Sequence, residues 1–204
     1  MINLYFLDLL GTFSFSFFGA YVGLKNRLDL FGIFVCALLS GLGGGTIREI
    51  ILNKTPVYFT DTSYLFCVAI GFCMAIFLYN NFSKIQKYYL VVDAIGLSTF
   101  AFIGAQQADI HNLGSIAIIF FATLNAVGGG ILRDISIRKV PYIFSKDFYA
   151  TPAIILGIIY SLLKVNMNNF IFAYSLLIFI FVLRLTAIRF NFKLWAVKHD
   201  NKSN

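Results

Sequence analysis

The sequence predicts an all-α integral membrane protein: seven transmembrane helices, arranged as two inverted three-helix repeats plus a seventh helix. Three observations lead there. Of 204 residues, 59% are hydrophobic and only 12% charged, with a mean hydropathy of +0.83; a soluble domain typically turns about 25% charged residues toward water. Seven apolar stretches approach the roughly 20 residues needed to cross a bilayer. The first three stretches also match the next three in a constant register.

In chain order the stretches are 3–24, 30–52, 63–80, 89–107, 113–137, 148–165 and 168–189. The first opens as MINLYFLDLL, with no basic residue ahead of the apolar run. It therefore reads as a membrane helix rather than a cleavable signal. Short polar joints such as Lys25–Asp29 and Asn80–Lys87 separate the stretches, leaving no room for a soluble domain. The chain divides into one transmembrane domain over 1–190 and a polar tail over 191–204. Cys36, Cys67 and Cys73 lie inside apolar runs without metal-ligand spacing, and read as small buried hydrophobes.

The repeat appears at a shift of 85 residues. Asp8, Gly11, Phe15, Phe17, Gly19 and Ala20 fall on Asp93, Gly96, Phe100, Phe102, Gly104 and Ala105; GGGTIRE at 43–49 falls on GGGILRD at 128–134; Lys54 and Pro56 fall on Lys139 and Pro141. Repeat one covers about 3–80 and repeat two about 89–165, with the helix at 168–189 unpaired. Three helices per copy is odd, so the second copy enters the membrane from the opposite side, as in many transport proteins.

The net charge is +7, but the bases are scattered between apolar runs, which excludes a nucleic-acid-binding stripe. They mark topology instead. Lys25, Arg27, Lys84, Lys87, Arg138, Lys139, Lys146, Arg189, Lys193, Lys198 and Lys202 fall on one side, against Lys54 and Lys164 on the other. The excess predicts a cytoplasmic C-terminus and an outside N-terminus in the cell membrane.

Gly43, Gly44 and Gly45, and Gly128, Gly129 and Gly130, interrupt the second and fifth runs. Glycine weakens a helix by about 1 kcal/mol against alanine, so each triplet predicts an unwinding point. Freed backbone groups are tolerated at membrane depth only beside water or protein, so the breaks point to a permeation or binding path; close helix packing is the plainer alternative. Arg48 and Arg133 follow the triplets and need partners at that depth. Helix direction places Arg48 with Asp8 toward the outer face and Arg133 with Asp93 toward the cytoplasm, predicting the pairs Asp8–Arg48 and Asp93–Arg133. Glu49 and Asp134 are expected to point elsewhere, toward a vestibule or a neighbouring group. Ser40, Thr46 and Thr123 offer hydroxyls near the triplets. Pro56 and Pro141 are read as helix stops. His111 and His199 stand alone. Hydrolase, zinc-protease, P-loop and dinucleotide-binding motifs are absent, and nothing calls for a cofactor or a metal.

The doubled motif, GGGTIRE with Pro56 and GGGILRD with Pro141 on the second and fifth helices, resembles the prokaryotic relatives of the trimeric intracellular cation (TRIC) channels. That bacterial group is also labelled glycine transporter, or UPF0126-type membrane protein. The resemblance covers about residues 5–188. It implies a homotrimer with a pore in each subunit, lined by helices two and five kinked at their glycines and passing monovalent cations, chiefly potassium. Residues matching the lipid-binding positions of animal members are not found. The residues leave three classes open: a passive cation channel, a secondary transporter of a small zwitterion such as glycine, and a non-conducting membrane scaffold.

Overall fold

The computed structural model describes residues 4–79, 86–145, 148–163 and 170–192. Among them the helices are α1 (Leu4–Lys25), α2 (Leu30–Ile51), α3 (Ser63–Tyr79), α4 (Gln86–Ile110), α5 (Ser115–Ser136), α6 (Tyr142–Ser145), α7 (Thr151–Leu163) and α8 (Phe170–Arg189), with a 3-10 turn at Val57–Phe59. The seven longer helices sit on the seven expected stretches. The short α6 is an addition, and residues 193–204 of the expected tail lie outside the described residues.

Five of these helices, α1, α2, α4, α5 and α8, are long and apolar enough to cross a membrane; α3 and α7 are apolar but shorter. Large apolar side chains cover their outward faces, including Phe31, Phe66, Phe77, Ile116, Leu162 and Ile171. Scattered exposed apolar groups are ordinary on soluble proteins, whereas a continuous cover of this kind requires an apolar surrounding. The chain is an all-helical, multi-pass membrane protein. Cys36 is buried as expected, but Cys67 is only half-buried and Cys73 lies on the exposed face of α3, beside Met74 and Phe77.

Helix ends follow a backbone rule rather than the prolines. Asn53 and Arg138, 85 residues apart, both take left-handed conformations, φ 53° and 56°. Beyond them Lys54 N–H donates to the Glu49 carbonyl at 2.8 Å and Lys139 N–H to that of Asp134 at 2.9 Å. These are the six-to-one bonds that close a helix C-terminus around a left-handed residue. The reading of Pro56 and Pro141 as stops is thereby corrected. Pro56 instead precedes the 3-10 turn and Pro141 precedes α6, where proline's fixed φ suits the start of a turn.

The core forms two clusters. One gathers mainly residues of α4, α5, α7 and α8, with Leu7 and Phe15 of α1; the other gathers mainly those of α1, α2 and α3, with Tyr89 of α4. Each borrows from the other where α1 packs on α4, and the contact there lies within the first cluster. Phe15 and Phe100 stand edge-to-face at 5.1 Å, each ring filling the space left by a glycine of the opposite helix, Gly96 and Gly11. These four residues are also two pairs 85 apart, so the register found in the sequence governs the packing.

Candidate functional site

α2 and α5 cross at the glycine triplets, and here the expected unwinding does not occur. Both helices run unbroken through Gly43–Gly45 and Gly128–Gly130. The cause is the closeness of the crossing. A Cβ on Gly44 would strike the Asn125 main-chain oxygen, and one on Gly129 the Ser40 main-chain oxygen; a Cβ on Gly43 would lie 3.1 Å from the Gly129 Cα. The first two glycines of each triplet thus serve helix–helix approach. The third does not: beside Gly45 the nearest group is the Arg48 tip at 3.9 Å, and beside Gly130 the Arg133 tip at 3.8 Å.

The arginines are buried, but with other partners than expected. Arg48 bonds Glu49 Oε1 through Nε at 2.9 Å and Nη2 at 2.6 Å, and Arg133 bonds Asp134 Oδ1 through Nε at 2.8 Å. Neighbouring positions point about a quarter-turn apart on a helix, yet a long arginine arm can swing its guanidinium back across that gap. The pairs Asp8–Arg48 and Asp93–Arg133 are absent from the ion pairs among the described residues. Each arginine also reaches across the crossing: Arg48 Nη1 to Asn125 Oδ1 at 3.4 Å, and Arg133 Nη1 to Ser40 Oγ at 3.3 Å. Ser40 and Asn125 are themselves 85 apart, so each half holds the other's arginine. Asn125 is fixed in turn by donating to the Phe100 carbonyl at 2.8 Å.

The aspartates take tyrosines. Tyr64 donates to Asp8 at 2.9 Å and Tyr149 to Asp93 at 3.1 Å, again an equivalent pair. Asp93 has a further partner, Arg184 of α8, at 3.8 Å. Tyr64, Tyr149, Asn125 and Arg184 were not singled out from the sequence. The shift of 85 pairs the first two with each other and Asn125 with Ser40. For Arg184 the only signal was a lone base in an apolar stretch.

Two cavities enter from opposite ends of this arrangement. One, about 360 Å³, is lined by Asp8, Arg48, Glu49, Lys54, Gln106 and Gln107 among others. The other, about 260 Å³, is lined by Tyr21, Lys25, Tyr89, Asp134, Lys139 and Tyr142 among others. The N-terminal end of α1 lines the first and its C-terminal end the second. Most lining positions correspond across the shift: Glu49 with Asp134, Lys54 with Lys139, Gln106 with Tyr21. A third space of about 20 Å³, room for about one water, lies deeper under the first, lined by Asp8, Thr12, Gly45, Thr46, Arg48, Glu49 and Tyr64 among others. Of the candidate hydroxyls, Thr46 bonds the Leu42 carbonyl at 2.8 Å and Tyr58 at 3.2 Å, whereas Thr123 turns back onto Ile119 of its own helix at 2.9 Å. Asp134 also accepts the Tyr142 N–H at 2.8 Å, tying α6 to the end of α5.

An all-helical membrane bundle, entered by matching cavities from both ends and crossed by two close-packed helices with buried arginines, is the class this geometry defines. The chain belongs to the glycine transporter family, whose model matches it twice, over residues 5–80 and 90–164, and it is a relative of the TRIC channels. It is 32% identical over 194 residues to the UPF0126 inner membrane protein YadS of Escherichia coli K12, covering 93% of this chain and 94% of that protein. It is 35% identical over 160 residues to a UPF0126 membrane protein of Vibrio cholerae, covering 78% and 67% respectively. Among solved structures it resembles a prokaryotic TRIC channel crystallised in 0.5 M KCl, at TM-score 0.85 and 28% identity over 94% of this chain and 98% of that one. It also resembles the TRIC orthologue of Rhodobacter sphaeroides, at TM-score 0.83 and 26% identity over 94% and 100%.

Proposed function

We propose that this protein is a channel for monovalent cations, chiefly potassium, in the inner membrane, assembled as a homotrimer with one pathway per subunit. In this reading seven helices span the bilayer as two inverted three-helix repeats and a seventh helix, with the N-terminus outside. The observation that carries it is the pair of corresponding cavities entering the bundle from opposite ends, one lined by Arg48 and Glu49 of α2 and the other by Asp134 of α5. A conduction path needs an entrance on each face and a short barrier between them, and carboxylates and hydroxyls along it can replace part of an ion's hydration shell. The lining assigned to the path is Gly45, Thr46, Arg48 and Glu49 on the outer side and Gly130, Arg133 and Asp134 on the inner, with Ser40 and Asn125 at the crossing. The resemblance to structures described as TRIC cation channels supports the ion class.

The description of the matching family model favours a second reading, a secondary transporter of glycine. In that case the arginines would meet a substrate carboxylate. Purified protein in liposomes separates the two. The channel reading expects voltage-driven potassium flux that rises with concentration without saturating at low millimolar levels. Saturable glycine uptake without potassium flux overturns it.

A further inference from the structure

α8 has no counterpart in the shift of 85, yet it supplies a charge to one half only. Asp93 is completely buried. Its carboxylate accepts the Tyr149 hydroxyl and lies 3.8 Å from Arg184. Arg184 is fixed from two further directions: Nη1 donates to the Phe148 carbonyl at 3.3 Å, and the guanidinium lies over the Tyr149 ring at 4.7 Å. Among the described residues Asp8, the counterpart of Asp93, keeps only the equivalent tyrosine bond. No ion pair is found for it among the described residues, and it lines the outer cavity.

The consequence is a difference in charge between the two mouths. Asp8, Arg48, Glu49 and Lys54 line the outer one, two acids against two bases. Among the described residues, Lys25, Asp134 and Lys139 line the inner one, one acid against two bases. Arg133 is withdrawn beneath the Phe18 ring at 5.3 Å, and Asp93 is withdrawn onto Arg184.

We infer that Arg184 is a positioning residue that holds Asp93 out of the inner mouth, so that cations enter more readily from the outer mouth, where Asp8 is uncovered. Charge at the mouth of a low-dielectric passage sets the local concentration of the permeant ion. Arg184 acts only through Asp93; it does not touch the path. The inference rests on the channel reading above.

The test is the ratio of single-channel potassium currents at equal and opposite voltages in reconstituted bilayers with symmetric KCl. The unmodified protein is expected to show an asymmetry of at least about twofold at low salt, since mouth charge concentrates ions, and a smaller one at high salt, where screening shortens its reach. Arg184→Gln frees one negative charge on the inner side and is expected to bring the ratio close to one. Arg184→Lys, and the neutral pair Asp93→Asn with Arg184→Gln, are expected to keep the original ratio. Asp8→Asn gives the outer mouth the inner mouth's balance and is also expected to equalise the currents, so it carries the test if Arg184→Gln is not recovered folded. Symmetric currents in the unmodified protein, or an unchanged ratio in Arg184→Gln or Asp8→Asn, overturn the inference while leaving the channel intact. No potassium current from the unmodified protein overturns the channel reading itself.

Discussion

Gly44 of α2 rests against the main-chain carbonyl of Asn125 on α5, with no space for a methyl group between them. Gly129 has the same relationship to Ser40. Since the obstacle is backbone, Gly44→Ala and Gly129→Ala force the helices apart and should cost about 1–3 kcal/mol, the usual range for overpacking. Gly45→Ala and Gly130→Ala meet no such obstacle and should gain up to about 1 kcal/mol from helix propensity. Thermal unfolding in detergent ranks the four. The same contrast selects the informative flux variant: Gly45→Leu, beside the small cavity lined by Asp8, Thr46 and Glu49, should lower potassium flux while the protein stays folded. A destabilised Gly45→Ala would contradict the packing argument.

Two helix ends are open to improvement. Asp29 caps α2 by accepting the Gly32 N–H at 2.7 Å, but its counterpart before α5 is Gly114, which makes no side-chain cap. A Cβ there meets nothing within 4 Å. Gly114→Asp should therefore stabilise by about 0.5–1 kcal/mol, from the new cap and from a less flexible unfolded chain. At Arg138 the left-handed backbone brings the Cβ against the following carbonyl, so Arg138→Gly, which has no Cβ, should gain about 1 kcal/mol. Asn53→Gly should gain less, because asparagine tolerates that region. Melting temperatures of the three variants check the order.

The seven helix positions were legible because long apolar runs and polar joints act locally. The register of 85 was legible because it joins unlike residue types, Asp, Gly, Arg and Lys, without a gap. The glycine triplets misled for a physical reason. Helix propensity describes an isolated helix, and α2 and α5 are held helical by packing against each other, which requires those glycines. The arginine partners were misassigned because depth along the membrane fixes only one coordinate. Which of several groups at one level a long side chain reaches depends on its rotamer and on groups from other helices, such as Asn125. Arg184 escaped because its role depends on where α8 docks, and no repeat partner marks that place.

The two aspartate–tyrosine bonds are equivalent in sequence but not in surroundings. Tyr149→Phe leaves one bond fewer to a carboxylate with no access to solvent, and should cost about 1–3 kcal/mol, the range for an unsatisfied buried group. Tyr64→Phe removes the same bond from Asp8, which lines the cavity at the N-terminal end of α1, so water can replace the hydroxyl and the loss should be smaller. Equal losses from the two variants would mean that this cavity holds no water at Asp8.

Arg48 is bonded by two of its nitrogens to Glu49, while Asp8 is held by Tyr64. Breaking a buried pair from one side leaves the other charge uncompensated and typically costs about 3–5 kcal/mol, whereas removing both partners costs less. Arg48→Gln and Glu49→Gln should therefore each destabilise strongly, and the double variant should recover part of the loss. Arg133→Gln with Asp134→Asn should behave alike. Asp134 also accepts the Tyr142 N–H, so Asp134→Asn alone should additionally loosen α6. Asp8→Asn with Arg48→Gln should come closer to additive, since those groups share a cavity but no bond. Double-mutant cycles on unfolding in detergent measure each coupling directly. If the Asp8–Arg48 coupling equals or exceeds that of Arg48–Glu49, then Arg48 turns toward α1 rather than back onto its neighbour, and the outer lining proposed above must be redrawn around that contact.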